Sequence, residues 1–408
     1  MSGDDAVAAA LQAYVDAGEM AGAAALVWRH GQGAQVSTAG WRDIAADLPV
    51  ERDTLFRIAS MTKPITSTAA LMLYDEGRFG LDDPISDWAP EFAHMRVLRA
   101  PDGPLDDTVP AERPITFNDL LTHRSGLTYG AFHPGPLAEA YATALGADID
   151  SHVGPDDWIA ALAALPLIDQ PGAGFHYGAS VDLLGFLIAR IDGAPLGEVL
   201  QRRIFSRLGM KDTGFTVPAD KRDRRATMYG FDEAGRLQAR PAHPPQAPAF
   251  LAERPADMTY VSGGAGLWST LDDYLAFARM FVGDGAVDGV RLLKLETLRR
   301  MTGNFLTEAQ VREARLFGMP VFTGQGFGLG VAVVTDPDKA ALTRGKGGVG
   351  TVAWPGAFGG WWQADPTDGS VMIFLAHNGV EPALLGRGVG LGVFAATAEF
   401  HALASGPR

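Results

Sequence analysis

Residues 53–64 read Asp53-Thr54-Leu55-Phe56-Arg57-Ile58-Ala59-Ser60-Met61-Thr62-Lys63-Pro64. The segment Leu55–Ser60 leads into a helix predicted from about Met61 to Glu76 and ended by Gly77. Pro64 is compatible with that helix, because a first-turn residue has no intrahelical bond to lose. Ser60 and Lys63 stand three residues apart and so share one face of the helix start. A hydroxyl in that place meets free backbone N–H groups and the positive end of the helix dipole, which stabilise a developing anion. A nearby amine can take its proton when burial or neighbouring positive charge favours the neutral form. The bare pattern is weak, since roughly one chain in five of this composition holds a Ser-x-x-Lys by chance. It also describes a helix-capping Ser followed by a solvated Lys.

The surroundings decide between these readings. Toward the N-terminus, residues 6–18 pattern as a helix closed by Gly18. Ala23–Trp28 and Ala34–Thr38 read as strands joined by the hairpin signal His30-Gly31-Gln32-Gly33. Toward the C-terminus the texture changes from about Arg78 to Met258. There Asn118–His123, Asp156–Leu165, Ser180–Ile191 and Leu196–Leu208 read as helices, and Pro101–Pro114 and Pro241–Pro255 as irregular excursions. After a helix at Leu271–Val282, Phe327–Thr335, Thr351–Ala364 and Ser370–His377 read as three strands. Asp365-Pro366-Thr367-Asp368-Gly369 makes the last turn, and a final helix covers Leu384–Leu403. The expected architecture is α/β (α+β). An antiparallel sheet built from both chain ends and flanked by helices forms one domain (1–77 and 259–408), with a mainly helical lobe (78–258) inserted in it.

Composition narrows the function. With 408 residues, 47% hydrophobic and 20% charged, the chain suits a protein with a sizeable core. The net charge of −14 and the lack of a Lys/Arg cluster argue against nucleic acid and anionic membranes as partners. There is no Cys, so a thiol nucleophile, disulfides and thiolate metal sites are excluded. The nine His show no metal-ligand spacing, and no metal or other cofactor is expected. The acidic start Met1-Ser2-Gly3-Asp4-Asp5 is not a signal peptide, and no apolar run reaches membrane-spanning length, so a cytoplasmic protein is expected. No Gly-x-Ser-x-Gly, Walker loop or His-Glu-x-x-His occurs. The Gly-x-Gly-x-x-Gly at Gly345–Gly350 precedes Thr351-Val352-Ala353-Trp354, which reads as a strand rather than the helix a pyrophosphate needs.

Five blocks then point the same way. They are residues 53–64; Ile115-Thr116-Phe117-Asn118-Asp119-Leu120-Leu121-Thr122-His123-Arg124-Ser125-Gly126-Leu127; Leu208-Gly209-Met210-Lys211-Asp212-Thr213-Gly214-Phe215; Ser262-Gly263-Gly264-Ala265-Gly266-Leu267; and Gly356-Ala357-Phe358-Gly359. In this order they resemble the serine β-lactamase and penicillin-recognising superfamily, within it the class C β-lactamases and the family VIII bacterial carboxylesterases. The resemblance runs from about residue 20 to residue 378. It implies a serine β-lactamase-like fold with Ser60 as nucleophile and with Lys63 and Tyr177 sharing proton transfer. The oxyanion would be held by the backbone N–H groups of Ser60 and Ala357. Tyr177 matches the Tyr of the second motif, after the turn Pro171–His176.

Two departures bear on the substrate. The β-lactamase Tyr-x-Asn is here Tyr177-Gly178-Ala179, and the Lys-Thr-Gly of class C enzymes is here best matched by Trp354-Pro355-Gly356. An indole offers an apolar wall and one N–H donor in place of a cation. Lys346-Gly347-Gly348 is the poorer match. Trp354, Gly356, Phe358 and, at the pocket mouth, Tyr129 are expected to bind substrate, whereas His123 is expected to be structural. The resulting expectation is a carboxylesterase on short- to medium-chain esters with weak or no β-lactamase activity. A β-lactamase, an amide hydrolase of D-aminopeptidase or aminohexanoate-oligomer type, an acyltransferase and a non-catalytic binding module remain as alternatives.

Overall fold

Ser370–Ala376 and Gly22–Arg29 are almost wholly apolar, the composition of strands covered on both faces. In the computed structural model, which describes residues 3–132, 135–146, 149–240, 254–255, 257–316, 318–344, 346–379 and 382–405, they pair antiparallel. Ala25 stands opposite Phe374 and Leu26 opposite Ile373. Eight strands make the sheet: β1 (Gly22–Arg29), β2 (Gly33–Asp43), β3 (Leu48–Pro49), β4 (Gln325–Phe327), β5 (Ala332–Val334), β6 (Val352–Pro355), β7 (Trp361–Asp365) and β8 (Ser370–Ala376). Their order is β4-β5-β6-β7-β8-β1-β2-β3, antiparallel throughout, so the two ends of the chain meet at the β8–β1 pair.

Two helices, α1 (Gly3–Asp16) and α4 (Gly392–Ala404), cover one face of the sheet, and two others, α2 (Thr62–Asp75) and α3 (Ser180–Asp192), carry site residues. Side chains alternate across a strand. Ala23, Ala25, Val27, Met372 and Phe374 therefore face Val7 and Leu11 of α1 and Val393, Ala396 and Phe400 of α4. Ala24, Leu26, Val371, Ile373 and Leu375 face the opposite way, into the core that includes α2 and α3. Helix α2 is buried from Thr62 through Leu73, so its polar side chains find partners inside the protein. Thr66 donates to the Gly263 carbonyl at 2.7 Å, and Thr62 accepts from the Leu267 N–H at 3.2 Å. Among the described residues, no helix is long and apolar enough to cross a membrane.

The structure differs from the sequence-based expectation at the C-terminal end. Phe327–Thr335 is not one strand, because Gly330 takes φ +91° between β4 and β5. Thr351–Ala364 is likewise split into β6 and β7 by the turn at Gly356–Gly360, with Gly359 at φ +88°. The expected three strands are thus five. The final helix is broken too: Pro382–Leu385 is one turn, Gly388 and Gly390 adopt positive φ, and the long helix starts only at Gly392. Apolar composition alone does not reveal such breaks, since the left-handed backbone they need is supplied by single glycines. The Pro101–Pro114 excursion contains a short strand, Thr108–Pro110, paired with Arg96–Leu98. Residues 241–253 of the Pro241–Pro255 excursion lie outside the described residues.

Two buried histidines make stability pH-dependent. His377 sits among the rings of Phe56, Trp268 and Phe358 with Nδ1 2.8 Å from the Ala226 carbonyl, and burial pushes its pKa down to about 3. Burial, then the charge of Lys63, holds His123 well below the ordinary imidazole range. Both are neutral when folded but take up protons in the unfolded chain as the pH drops below about 6.5. Their contribution is therefore complete above that pH and is lost on acidification, at roughly 1 kcal/mol per pH unit per group. Urea unfolding between pH 7 and 4.5 should show this slope, and His377→Gln should make it shallower; equal slopes would disprove the assignment.

Candidate active site

Ser60 lies in a single 3-10 turn, Ala59–Met61, that runs straight into α2. The segment before it is held by residues 267–269. Phe56–Arg57 pairs with Trp268–Ser269, and the Ile58 N–H donates to the Leu267 carbonyl at 3.0 Å. Ala59 has φ +43°, a costly conformation for a residue with a side chain, adopted just before the Ser. The β6–β7 turn closes over this segment. A Cβ on Gly356 would stand 2.5 Å from the Ile58 carbonyl oxygen, so only glycine permits the approach. The N–H of the exposed Ala357 in that turn has no acceptor among the described residues.

Ser60 is partly exposed, whereas Lys63, one turn on, is fully buried. The Lys63 Nζ lies 3.4 Å from Ser60 Oγ, 3.2 Å from the Tyr129 hydroxyl and 3.0 Å from the Gly264 carbonyl oxygen. It also sits over the face of Tyr177, 4.5 Å from the ring centroid, and 5.3 Å from that of Tyr129. Ser60, Lys63 and Tyr177 are therefore brought together. The Tyr177 hydroxyl accepts the Trp354 indole N–H at 3.1 Å, and its ring is flanked by Trp354, Phe132 and His123. His123 is a buried neutral partner whose Nδ1 accepts the Gly178 N–H at 3.4 Å. Gly178 must be glycine, because a Cβ would meet the Thr128 backbone at 2.2 Å. Ala179, where the β-lactamase motif has Asn, is buried.

Tyr129 and Trp354 stand beside Lys63 and Tyr177. Tyr129 is not at a pocket mouth: it is 9% exposed and donates its hydroxyl to Asp182 Oδ2 at 2.7 Å. Phe358 is buried, with its ring edge-on to His377. Trp354 is present as an aromatic wall, but its one donor is committed to Tyr177. Lys346 is exposed, and its carbonyl accepts from Gln363 beside the Asp365–Gly369 turn, at the far end of β7 from Gly356.

Sequence reasoning missed Asp182, Ser262 and the role of Gly264. Asp182 Oδ1 accepts the Ser262 hydroxyl at 2.5 Å and the Gly264 N–H at 3.0 Å. The signal that could have found it is a lone carboxylate at the start of the apolar run Val181-Asp182-Leu183-Leu184 of α3, fully buried in the fold.

Comparison with known proteins identifies relatives of the whole chain. The model of the Beta-lactamase family matches residues 7–388. Protein Rv1367c of Mycobacterium tuberculosis is 47% identical over 370 residues, covering 91% of this chain and 89% of that protein. Esterase EstB of Burkholderia gladioli is 32% identical over 374 residues, covering 89% and 87%. The solved structure of EstCE1, described as a hydrolase with promiscuous acyltransferase activity, superposes with a TM-score of 0.77 at 27% identity, covering 97% and 98%.

A side chain at position 264 would wedge the site apart, since a Cβ there falls 2.6 Å from Asp182 Oδ2 and 2.8 Å from the Tyr129 hydroxyl. Gly264→Ala should lower stability by about 1–3 kcal/mol, as overpacked buried sites do. Thermal unfolding checks this, and an unchanged melting temperature would refute the packing described.

Proposed function

The chain belongs to the Beta-lactamase family, and on that footing we propose that it is a serine carboxylesterase of the family VIII kind, cleaving short- to medium-chain esters through an acyl-enzyme on Ser60. Ser60 Oγ attacks the ester carbonyl carbon while Lys63, 3.4 Å away, takes its proton and later returns it to the departing alkoxide. Tyr177, stacked over Lys63 and held by Trp354, assists that transfer. The tetrahedral oxyanion is received by the N–H groups of Ser60 and Ala357, the latter without another acceptor among the described residues. Water then repeats the sequence on the acyl-enzyme. No cofactor enters these steps.

One observation carries the choice of ester over β-lactam: the third-motif position is filled by Trp354, whose single donor is spent on Tyr177. That wall presents no cation to a substrate carboxylate, and the buried Ala179 presents no amide to a substrate side chain. Each charge-assisted contact missing in this way is worth roughly 1.5–3 kcal/mol, or one to two decades of affinity. The likeness to EstCE1 supports a second outcome for the same acyl-enzyme, transfer to an added alcohol.

Wild type should turn over p-nitrophenyl butyrate rapidly and a chromogenic cephalosporin slowly. Ser60→Ala should lose ester turnover by roughly a thousandfold or more. Ester cleavage that survives in Ser60→Ala, or cephalosporin turnover matching that of the ester, would overturn the reading. Added alcohol should divert part of the product from free acid to new ester.

A further inference from the structure

Lys63 is surrounded by groups whose hydrogen-bonding roles are dictated by their chemistry. The Gly264 carbonyl can only accept, so Lys63 donates to it at 3.0 Å. The Tyr129 hydroxyl can donate or accept, and Asp182 removes that freedom. Both Asp182 oxygens are met by donors. Oδ1 receives the Ser262 hydroxyl and the Gly264 N–H, and Oδ2 receives the Tyr129 hydroxyl at 2.7 Å. With its proton directed to Asp182, the Tyr129 oxygen can only accept from Lys63, at 3.2 Å. Two N–H groups of Lys63 are then committed. The remaining position on Nζ faces Ser60 Oγ, at 3.4 Å. In the amine that position is the lone pair; in the ammonium it is the third N–H.

We infer that Asp182 is a positioning residue for the nucleophile's base. By orienting the Tyr129 hydroxyl it forces the lone pair of Lys63 onto the Ser60 proton. This rests on the serine-esterase reading given above. As Ser60 Oγ bonds to the carbonyl carbon, its proton moves to that lone pair. When the bond to the alcohol oxygen breaks, the same proton moves to the departing alkoxide, so Lys63 ends as it began. Asp182 is suited to the task because it is itself immobile. It lies fully buried in the first turn of α3, packed in the same core as α2, and it bonds the Ser262–Gly264 segment that also accepts Lys63 and Thr66.

The isosteric change Asp182→Asn tests the assignment. The Gly264 N–H can only donate, so it selects the amide oxygen at its side, and the amide NH2 turns to Tyr129. The Tyr129 hydroxyl must then accept from the amide and point its own proton at Lys63, occupying the lone pair. The readout is the rate at which a fluorophosphonate probe labels Ser60, followed by mass spectrometry, alongside kcat and KM for p-nitrophenyl butyrate. D182N should label roughly 100-fold more slowly, with kcat reduced and KM little changed. Y129F should be slower by about tenfold, having lost one acceptor for Lys63. The double variant D182N/Y129F should label faster than D182N, because the reversed hydroxyl is gone; a merely structural carboxylate would give no such rescue. Wild-type labelling in D182N, or a double variant slower than D182N, overturns the inference. If melting shows that D182N does not fold, Y129F decides alone, and undiminished labelling there overturns it. Wild-type protein left unlabelled at Ser60 would instead sink the esterase reading itself.

Discussion

A fully buried lysine is the constraint around which this molecule is organised. An amine removed from water must be surrounded by acceptors and polarisable faces, or the fold pays its desolvation. Lys63 obtains them from three distant stretches of chain: Tyr129, Tyr177 and the Gly264 carbonyl. Each stretch is fastened by its own bonds. The His123 carbonyl accepts the His176 N–H at 2.7 Å, Thr66 holds Gly263, and Leu267 is tied to both Ile58 and Thr62. Burying α2 on all sides is what brings these stretches within reach of a single Nζ atom.

The aromatic wall follows from the same burial. Tyr177 is in ring contact with Trp354, Phe132, His123 and Tyr129, while Phe327 touches both Trp354 and His123. Such a cluster fixes ring positions by packing and leaves few polar atoms to interrogate a substrate. The hydroxyl of Tyr177 is the exception, and Trp354 sets its direction.

Much of this was legible in the chain. Ser60 and Lys63 are local neighbours on one helix face, a weak pattern by itself, and it was the family resemblance that singled them out together with Tyr177. The antiparallel sheet joining both ends was visible because β1 and β8 are apolar at nearly every position. Asp182 was not legible, because its meaning lies in Tyr129, Ser262 and Gly264, none of them near it in sequence. A helical pattern marks Asp182 only as a polar intruder. Phe358 misled for the opposite reason: it lies in the turn that approaches Ile58, yet its ring meets His377 edge-on. Strand breaks at Gly330 and Gly359 were hidden by apolar flanks that read equally well as continuous strands.

The β8–β1 pairing has a consequence for how the protein comes into being. Residue 23 finds its partner at residue 376, so during synthesis β1 has β2 on one side and no β8 on the other until residues 370–376 have emerged. An open apolar strand edge of that kind invites pairing with other chains. Long-range closure of this sort is slow, and the waiting intermediates are prone to aggregate. The growing chain is thus most open to mispairing over the interval between making β1 and making β8. Chaperone demand would scale with the time a ribosome takes to cross that distance.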